Sequence, residues 1–253
     1  MIVQIIGLPG SGKTSLAIAL ADRINAINLN ADTIRATINS DLGFSIEDRI
    51  EHSRRLGAIA KILSDQGQNV IVDFVCPTPA TRSAFGKPDI LVFMNTIETG
   101  RFADTNALFE IPEEEIVDIQ YDTHGLDADE KALEIIDVFQ LPDWKAPTTL
   151  LLGRYQPWHE GHEALKDKAH ERTKQVVIAV RDTQGTSDKD PLHFKEVVEH
   201  IVSGTSDTPF IIKVPNITNI VYGRDVGYTI EQVDLGDEVH SISATEKRKE
   251  LGI

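Results

Sequence analysis

The chain has 253 residues, of which 41% are hydrophobic, with one cysteine and a formal net charge of −15. This length allows one large domain or two small ones. Proteins that bind long nucleic acids usually carry a basic stripe, so the acidic balance excludes that partner and leaves small anionic substrates possible. A lone cysteine forms no intrachain disulfide, and no segment approaches the ~20 apolar residues of a membrane span. We therefore expect a cytoplasmic protein without a membrane partner.

In the first half of the chain, short apolar runs alternate with segments whose apolar residues recur at helical spacing. Ser45, followed by Glu47 and Asp48, is a predicted helix N-cap. Such alternation is typical of a parallel, doubly wound sheet with helices on its faces. The predicted strands are residues 3–6, 69–74, 90–94 and 117–121, and the predicted helices are residues 13–24, 45–66 and 128–139.

Residues 140–147, QLPDWKAP, contain two prolines and are the predicted linker. After this segment the alternation restarts. The sequence therefore predicts an α/β chain with two domains, 1–143 and 144–253. In the second domain the predicted strands are 149–152, 176–180, 210–214 and 217–222, and the predicted helices are 161–173, 192–202 and 244–251.

Residues 7–14 read GLPGSGKT and fit the pattern G-x-x-x-x-G-K-[ST] between an apolar strand and a helix. In this pattern the glycines let backbone N–H groups surround phosphate oxygens, the lysine adds positive charge, and the last hydroxyl binds Mg²⁺. Agreement of pattern and context favours a P-loop over a chance glycine turn. We predict that Lys13 is catalytic, that Thr14 holds Mg²⁺, and that ATP contacts Gly7, Gly10, Ser11, Gly12, Lys13, Thr14 and Ser15.

The segment after the P-loop contains LNADTIR, NSDLGFS and EDRIEHSRR. These motifs resemble L-D-G-D-N-V-R, N-x-D-L-G-F-S and E-D-R-x-E-N-x-R-R of the adenylylsulfate kinase family, and the resemblance covers about residues 3–85. It implies a P-loop kinase domain in which Asp32 orients or deprotonates the acceptor hydroxyl. It also implies that Arg35 and Arg49 hold an anionic acceptor. Guanidinium groups bind sulfate and phosphate bidentately, which suits both positions.

Asp73 ends the predicted strand NVIVD, where it is either a second carboxylate for Mg²⁺ or a turn residue. The chain departs from the family pattern at Asn30 and His52, which stand where the family has Asp and Asn. Residues 98–114 replace the family's basic lid, and only Arg101 and Phe109 in that segment suit comparable parts. Phe109 is therefore a predicted acceptor contact. A changed lid keeps ATP-dependent phosphoryl transfer but leaves the identity of the acceptor open.

Residues 153–162, GRYQPWHEGH, place His159 and His162 three positions apart with a glycine between them. Zinc hydrolases use H-E-x-x-H on a helix, where the two histidines are four positions apart. The spacing of three here differs from that pattern, and a metal-binding pair and a purely structural pair are the alternative interpretations. The segment resembles G-R-F-Q-P-x-H-x-G-H of the nucleotidyltransferase superfamily that includes nicotinamide-mononucleotide adenylyltransferases. Residues 242–251, ISATEKRKEL, resemble I-S-x-T-x-I-R of the same superfamily.

This second resemblance implies a small Rossmann-like, cytidylyltransferase-like domain that binds ATP or CTP. Such a domain transfers AMP or CMP to a phosphate acceptor and releases pyrophosphate. His159 and His162 would be catalytic, because they would donate hydrogen bonds to the phosphates as negative charge gathers. The other nucleotide contacts that the resemblance implies are Gly153, Arg154, Ser243, Thr245 and Arg248.

Together these features predict a bifunctional α/β enzyme for small anionic substrates. A P-loop kinase domain at 1–143 would precede an HxGH nucleotidyltransferase domain at 144–253, and a homo-oligomer is possible. One alternative is a nucleotide-binding regulatory protein without turnover. Another is an NAD enzyme similar to nicotinamide riboside kinase joined to its adenylyltransferase.

Overall fold

The computed structural model describes residues 1–253 except 113–116, 184, 222, 225–226, 237–243 and 253, and except the side chain of residue 251. The chain divides into two compact units, Met1–Lys145 and Ala146–Ile253. Each unit is built on a parallel sheet, which confirms the α/β class predicted from the alternation of strands and helices. Within the described ranges, we find no helix with the length and apolar character needed to cross a membrane.

The first unit is a parallel sheet with helices on its faces. Its strands are β1 (Ile2–Gly7), β2 (Ala26–Asn30), β3 (Asn69–Asp73), β4 (Ile90–Met94) and β5 (Ile119–Tyr121). Its helices are α1 (Lys13–Ile24), α2 (Ala31–Ala36), α3 (Ile46–Asp65), α4 (Pro79–Phe85), α5 (Ala103–Leu108) and α6 (Ala128–Val138). The strand order is β2-β3-β1-β4-β5, so β1 is the central strand.

Strand β1 is buried along its whole length, because helices cover both faces of the sheet. Ile2 and Ile6 point to one apolar layer, which α3 and α4 complete. Val3 and Ile5 point to the other layer, which α1 and α6 complete. Side chains of a strand alternate between the two faces, so the apolar residues of β1 contribute to both layers. The residues that follow β1 therefore emerge at the middle of the carboxyl edge of the sheet.

Helices α2 and α3 begin at polar caps that the sequence supplies. Ser45 caps α3, since its hydroxyl accepts a hydrogen bond from the backbone N–H of Asp48 at 3.1 Å. Asn30 caps α2 in the same way through the N–H of Thr33, at 3.0 Å. Helices α2, α4 and α5 and strand β2 were not predicted. The three helices span only six or seven residues each, which is too short for a clear apolar period.

The second unit has its own parallel sheet, with the strands β6 (Thr149–Gly153), β7 (Val176–Arg181) and β8 (Phe210–Val214) side by side in that order. Its helices are α7 (Glu160–Thr173), α8 (Phe194–Gly204) and α9 (Ala244–Leu251). Tyr155 and Trp158 pack with Ile178 and Ile201 in its core. The predicted strand at 217–222 is wrong, because none of residues 217–221 lies in a strand.

Candidate functional site

The P-loop joins the end of β1 to the start of α1. Gly7 has a φ of 144°, and a Cβ at this position would lie 2.4 Å from the carbonyl oxygen of Met94. Gly12 caps α1 with a φ of 93°, in the left-handed region. Both positions need glycine because an L side chain is strained at such angles. Gly10 also has a positive φ, Ser11 is buried, and Ser15 is exposed in the first turn of α1.

Lys13 is buried inside this loop. Its ammonium donates a hydrogen bond to the carbonyl oxygen of Leu8 at 2.8 Å. Burial lowers the pKa of Lys13 to about 8, while the nearby carboxylates of Asp73 and Asp32 oppose the shift and Arg101 adds to it. The lysine is thus held against the loop, with two carboxylates nearby, at the start of a helix where phosphate oxygens bind well.

Asp73 ends β3 beside the P-loop and is almost fully buried. The Thr14 hydroxyl donates a hydrogen bond to its Oδ2 at 2.7 Å, and the Asn30 amide donates to the same oxygen at 3.0 Å. Among the described residues, its Oδ1 has no hydrogen-bond partner. Burial raises the pKa of Asp73, and the Thr14 and Asn30 hydrogen bonds oppose that shift. The Asp73 carboxylate and the Thr14 hydroxyl offer oxygen atoms, which are the ligands that Mg²⁺ prefers.

A cavity of about 510 Å³ opens beside the P-loop. The Arg35 guanidinium lies 4.8 Å from the centroid of the Phe44 ring, and the Arg49 guanidinium lies 5.5 Å from the same centroid. Arg49 also donates through Nε to the Phe44 carbonyl at 2.9 Å, and Arg35 donates to the Gly43 carbonyl. Burial lowers the pKa of Arg35, and the charge of Arg49 lowers it further. Two cations therefore share one aromatic ring in a cavity that Lys13 also lines.

Asp32 lies in the first turn of α2 and lines the same cavity, as does Arg101 from residues 98–114. The structure thus brings Asp32, Arg35 and Arg49 together with the P-loop, although they come from α2 and α3. Phe44 was not singled out from the sequence, although it lies within the motif NSDLGFS that carries the family resemblance. Its position next to both guanidinium groups follows from the fold and not from the motif itself.

The structure places Phe109, a predicted acceptor contact, outside this cavity. This ring packs on the apolar layer beneath the sheet and stacks with Phe93, with 6.0 Å between the ring centroids. It is absent from the lining of the cavity, where Phe102 is the aromatic residue of the 98–114 segment. Phe102 is more than half exposed and directly precedes α5. Because the segment differs from the family pattern, the sequence held no signal that distinguishes these two phenylalanines.

In the second unit, His159 and His162 lie at the start of α7. His159 is the N-cap, and its Nδ1 accepts a hydrogen bond from the backbone N–H of Gly161 at 3.2 Å. The two imidazoles stack, with 3.8 Å between their centroids. Burial lowers the pKa of His162 to about 3, helped by the charge of His159, and burial also lowers the pKa of His159. Both rings are therefore neutral at pH 7, and each retains one N–H donor.

Helix α9, the last helix of the second unit in chain order, contacts the segment that precedes this turn. The Arg248 guanidinium donates to the carbonyl oxygen of Gln156 at 2.8 Å and to the Thr245 hydroxyl at 3.1 Å. Arg154 is held by an ion pair with Asp190, at 3.1 Å. The two motifs are thus neighbours in space, although about 80 residues separate them along the chain. Gly153 ends β6, and Ser243, another predicted nucleotide contact, lies outside the described residues.

Across the described part of the chain, no group of three or more His, Cys, Asp and Glu side chains is arranged to hold a metal ion. The pair His159 and His162 therefore has no third such ligand among these residues. Magnesium at the P-loop is a different case, because waters and substrate phosphates together supply most of the ligands of such an ion and the protein adds only one or two oxygens.

The parallel sheet, the P-loop after its central strand, and the group Lys13, Thr14 and Asp73 define a P-loop nucleotide-binding unit. The sequence model of the family described as "Adenylylsulphate kinase" matches residues 1–111. An adenylyl-sulfate kinase of Bacteroides thetaiotaomicron is 30% identical over 167 residues, which cover 54% of this chain and 82% of that protein. The chain belongs to the adenylyl-sulfate kinase family.

Other relatives match over shorter stretches. Adenylyl-sulfate kinase 3 of Arabidopsis thaliana is 35% identical over 121 residues, covering 44% of this chain and 58% of that protein. Adenylyl-sulfate kinase of Vibrio cholerae is 43% identical over 81 residues, and the match covers 38% of it. The chain thus spans less than two thirds of the length of these relatives. A solved Mycobacterium tuberculosis APS kinase, in complex with AMPPNP and APS, is 28% identical with a TM-score of 0.49, covering 55% of this chain and 96% of that one.

Proposed function

We propose that the first unit is an ATP-dependent kinase that phosphorylates a hydroxyl group on a small anionic acceptor, with adenylylsulfate as the first candidate. One observation carries the proposal: Arg35 and Arg49 share the Phe44 ring in the cavity that Lys13 and Asp32 also line. This arrangement offers an anion-binding end and a phosphate-binding end within one cavity. Family membership supports the same reaction class.

In this reaction, Lys13 and the N–H groups of the P-loop hold the phosphates of ATP at the start of α1. Thr14 and Asp73 would hold Mg²⁺, which supplies positive charge that neutralises the transferring phosphoryl group. Asp32 accepts a hydrogen bond from the acceptor hydroxyl and so orients it. Arg35 and Arg49 hold the acceptor's anionic group through charge-assisted hydrogen bonds. Catalysis then depends mainly on positioning and electrostatic stabilisation.

Replacing Arg49 with alanine tests the anion-binding end of this cavity. With Mg²⁺, ATP and adenylylsulfate, we expect the KM for the acceptor to rise about thirtyfold, because a lost charge-assisted hydrogen bond costs about 2 kcal/mol. The KM for ATP should stay within twofold. The measurement is the rate of formation of phosphorylated acceptor at varied acceptor concentration.

Arg54→Ala is the matched control, because Arg54 is mainly exposed and pairs only with Glu51 in the described contacts. It should leave both KM values unchanged. An unchanged acceptor KM in the Arg49 variant would contradict the assigned role. If the wild-type protein binds ATP but phosphorylates no adenylylsulfate, the acceptor is another hydroxyl compound, and a panel of anionic alcohols becomes the next assay.

For the second unit we propose nucleotidyl transfer from ATP or CTP to a phosphate acceptor, with release of pyrophosphate. The stacked, neutral His159 and His162 at the start of α7 support this activity, and Arg248 of α9 donates to the Gln156 carbonyl three residues before His159. Neutral imidazoles donate hydrogen bonds to phosphate oxygens without a proton being removed from them. Arg248 adds positive charge near the same turn.

The variant His162→Asn tests this second activity. We expect pyrophosphate release from ATP or CTP to fall about a hundredfold, as for the loss of one donor to a developing negative charge. Nicotinamide mononucleotide and the phosphorylated product of the first unit are the acceptors to compare. His170→Asn, at the exposed end of α7, is the control and should keep full activity.

The outcomes distinguish the functions. Equal pyrophosphate release from the wild-type protein and from His162→Asn would contradict nucleotidyl transfer at this turn. Binding of a nucleotide without any release would favour a regulatory role. Release that depends on nicotinamide mononucleotide alone would favour an NAD enzyme.

A further inference from the structure

We propose that Gln156 is a positioning residue of the second unit. It holds together the turn that carries His159 and His162, the loop of residues 185–193 before α8, and helix α9, which carries Arg248. The inference rests on the nucleotidyl transfer proposed for the second unit and adds a residue to that function. Gln156 lies three positions before His159 and belongs to the same turn.

The side chain of Gln156 binds the loop before α8. Its Nε2 donates a hydrogen bond to the Leu192 carbonyl oxygen at 2.9 Å, and its Oε1 accepts one from the Leu192 backbone N–H at 2.9 Å. A backbone N–H can only donate and a carbonyl oxygen can only accept, so the two bonds fix the orientation of the amide. Gln156 therefore pairs with both backbone groups of Leu192, as a neighbouring strand would.

The backbone of Gln156 binds α9. Nη1 of Arg248 donates to the Gln156 carbonyl oxygen at 2.8 Å and to the Lys189 carbonyl oxygen at 3.4 Å. One guanidinium group thus contacts both the turn and the loop before α8. Since the Gln156 side chain joins the turn to that loop, each of the three segments contacts the other two.

Burial makes the contact between Gln156 and Leu192 the important one. Both residues are 6% exposed, and a buried polar group that loses its partner is costly because water does not replace it. A second contact between the turn and the loop is the ion pair of Arg154 with Asp190, at 3.1 Å, in which the Arg154 side chain is 46% exposed. Exposed ion pairs contribute little to stability. We therefore assign the fixed position of the loop mainly to Gln156.

Helix α9 depends on its contacts with the other two segments. It spans eight residues, and isolated helices shorter than about 12 residues are marginal in water. Lys247 pairs with Glu160 of α7 at 3.3 Å, but the Glu160 side chain is 69% exposed, so this pair also contributes little. The position of Arg248 relative to the two histidines is therefore set at Gln156. The three side chains act on one triphosphate, so an error in that position would slow the reaction.

The variant Gln156→Met removes the amide and keeps a side chain of similar length. The N–H and the carbonyl of Leu192 then lose their partner. We expect the backbone amides of residues 244–250, in α9, to exchange with deuterium about tenfold faster than in the wild type. The amides of β7 should exchange at the wild-type rate. Hydrogen-exchange mass spectrometry of the full chain gives both values, and the change in α9 distinguishes positioning from a local loss at Leu192.

Two control variants accompany this measurement. Gln175→Met makes the same substitution directly before β7, at the opposite edge of the sheet from the turn, where the Gln175 amide donates to the Thr148 hydroxyl. It should leave the exchange of α9 unchanged. Asp190→Asn weakens the exposed ion pair with Arg154 and should change the exchange of α9 by less than about threefold.

Pyrophosphate release provides the second readout. We expect Gln156→Met to lower kcat about tenfold, since small misplacements of catalytic groups cost about ten- to a hundredfold. The KM for ATP or CTP should change by less than about threefold, because the phosphates keep the same protein partners. In Gln175→Met both values should equal those of the wild type.

Several results would overturn the inference. Wild-type exchange of α9 in Gln156→Met would show that this residue does not hold the helix. Faster exchange throughout the second unit, β7 included, would show that Gln156 supports the fold as a whole. A raised KM for the nucleotide with unchanged kcat would make it a binding contact. A wild-type protein that releases no pyrophosphate would contradict nucleotidyl transfer only, and the exchange pattern would then decide the role of Gln156.

Discussion

Replacing Asp32 with asparagine is expected to lower kcat for phosphoryl transfer about a thousandfold, within the range measured for positioned acids and bases. Asparagine has nearly the same shape, but its neutral amide is a much weaker acceptor for the hydroxyl proton. The carboxylate lies in the cavity that Lys13 also lines, and its charge acts on both Lys13 and Arg35. The rate of product formation at saturating ATP and acceptor measures the effect.

The control for this variant is Asp137→Asn, near the exposed end of α6. It removes the same charge from the first unit without touching the cavity, so kcat should stay within twofold. The affinity for ATP should change little in Asp32→Asn, because the phosphates are held by the P-loop. A loss of less than tenfold would assign the proton-accepting role to another group. A large rise in the KM for ATP would place Asp32 at the nucleotide instead.

Replacing Gly57 with alanine is expected to destabilise the first unit by about 3 kcal/mol or more, the upper range for overpacking a core. Gly57 lies in α3, and a Cβ added there would lie 1.9 Å from the carbonyl oxygen of Phe85 in α4. Helix propensity alone favours alanine by only about 1 kcal/mol. The clash is with backbone, which cannot rotate away, so steric repulsion outweighs propensity and the two helices must separate.

Urea unfolding followed by fluorescence or circular dichroism measures this change in the free energy of unfolding. The matched control is Gly223→Ala in the second unit, where an added Cβ meets no atom of the described residues within 4 Å. That variant should leave the unfolding of the first unit unchanged. A Gly57→Ala protein as stable as the wild type would mean that α3 and α4 pack less closely than the structure has them.

The P-loop could be predicted from the sequence because its geometry is local. Eight consecutive residues contain the glycines that adopt positive φ, Gly7 and Gly12, and the lysine that is followed by a hydroxyl residue. The parallel sheet was predictable for a related reason, since the apolar run of β1 is suited only to a strand covered on both faces. The family resemblance then singled out Asp32, Arg35 and Arg49, which line one cavity with P-loop residues.

The structural features that were not predicted from the sequence depend on contacts between distant segments. The stacking of Phe109 on Phe93, outside the cavity, depends on how residues 98–112 pack on the sheet. The meeting of Arg248 with Gln156 joins residues 92 positions apart. Apolar periodicity reports which face of a helix is buried but not against which element it packs. Such pairings could not be read from this one sequence.

The shared ring of Phe44 has a consequence for selectivity. Two guanidinium groups of like charge are held close together, and an entering anion relieves their repulsion whatever its chemical identity. Sulfate, phosphate and nucleotides all offer such relief, so Arg35 and Arg49 supply attraction without discrimination. Under the proposed kinase function, discrimination among such anions therefore depends on the rest of the acceptor molecule. The discriminating contacts are then the uncharged ones, such as the face of an aromatic ring or a neutral hydrogen-bonding group.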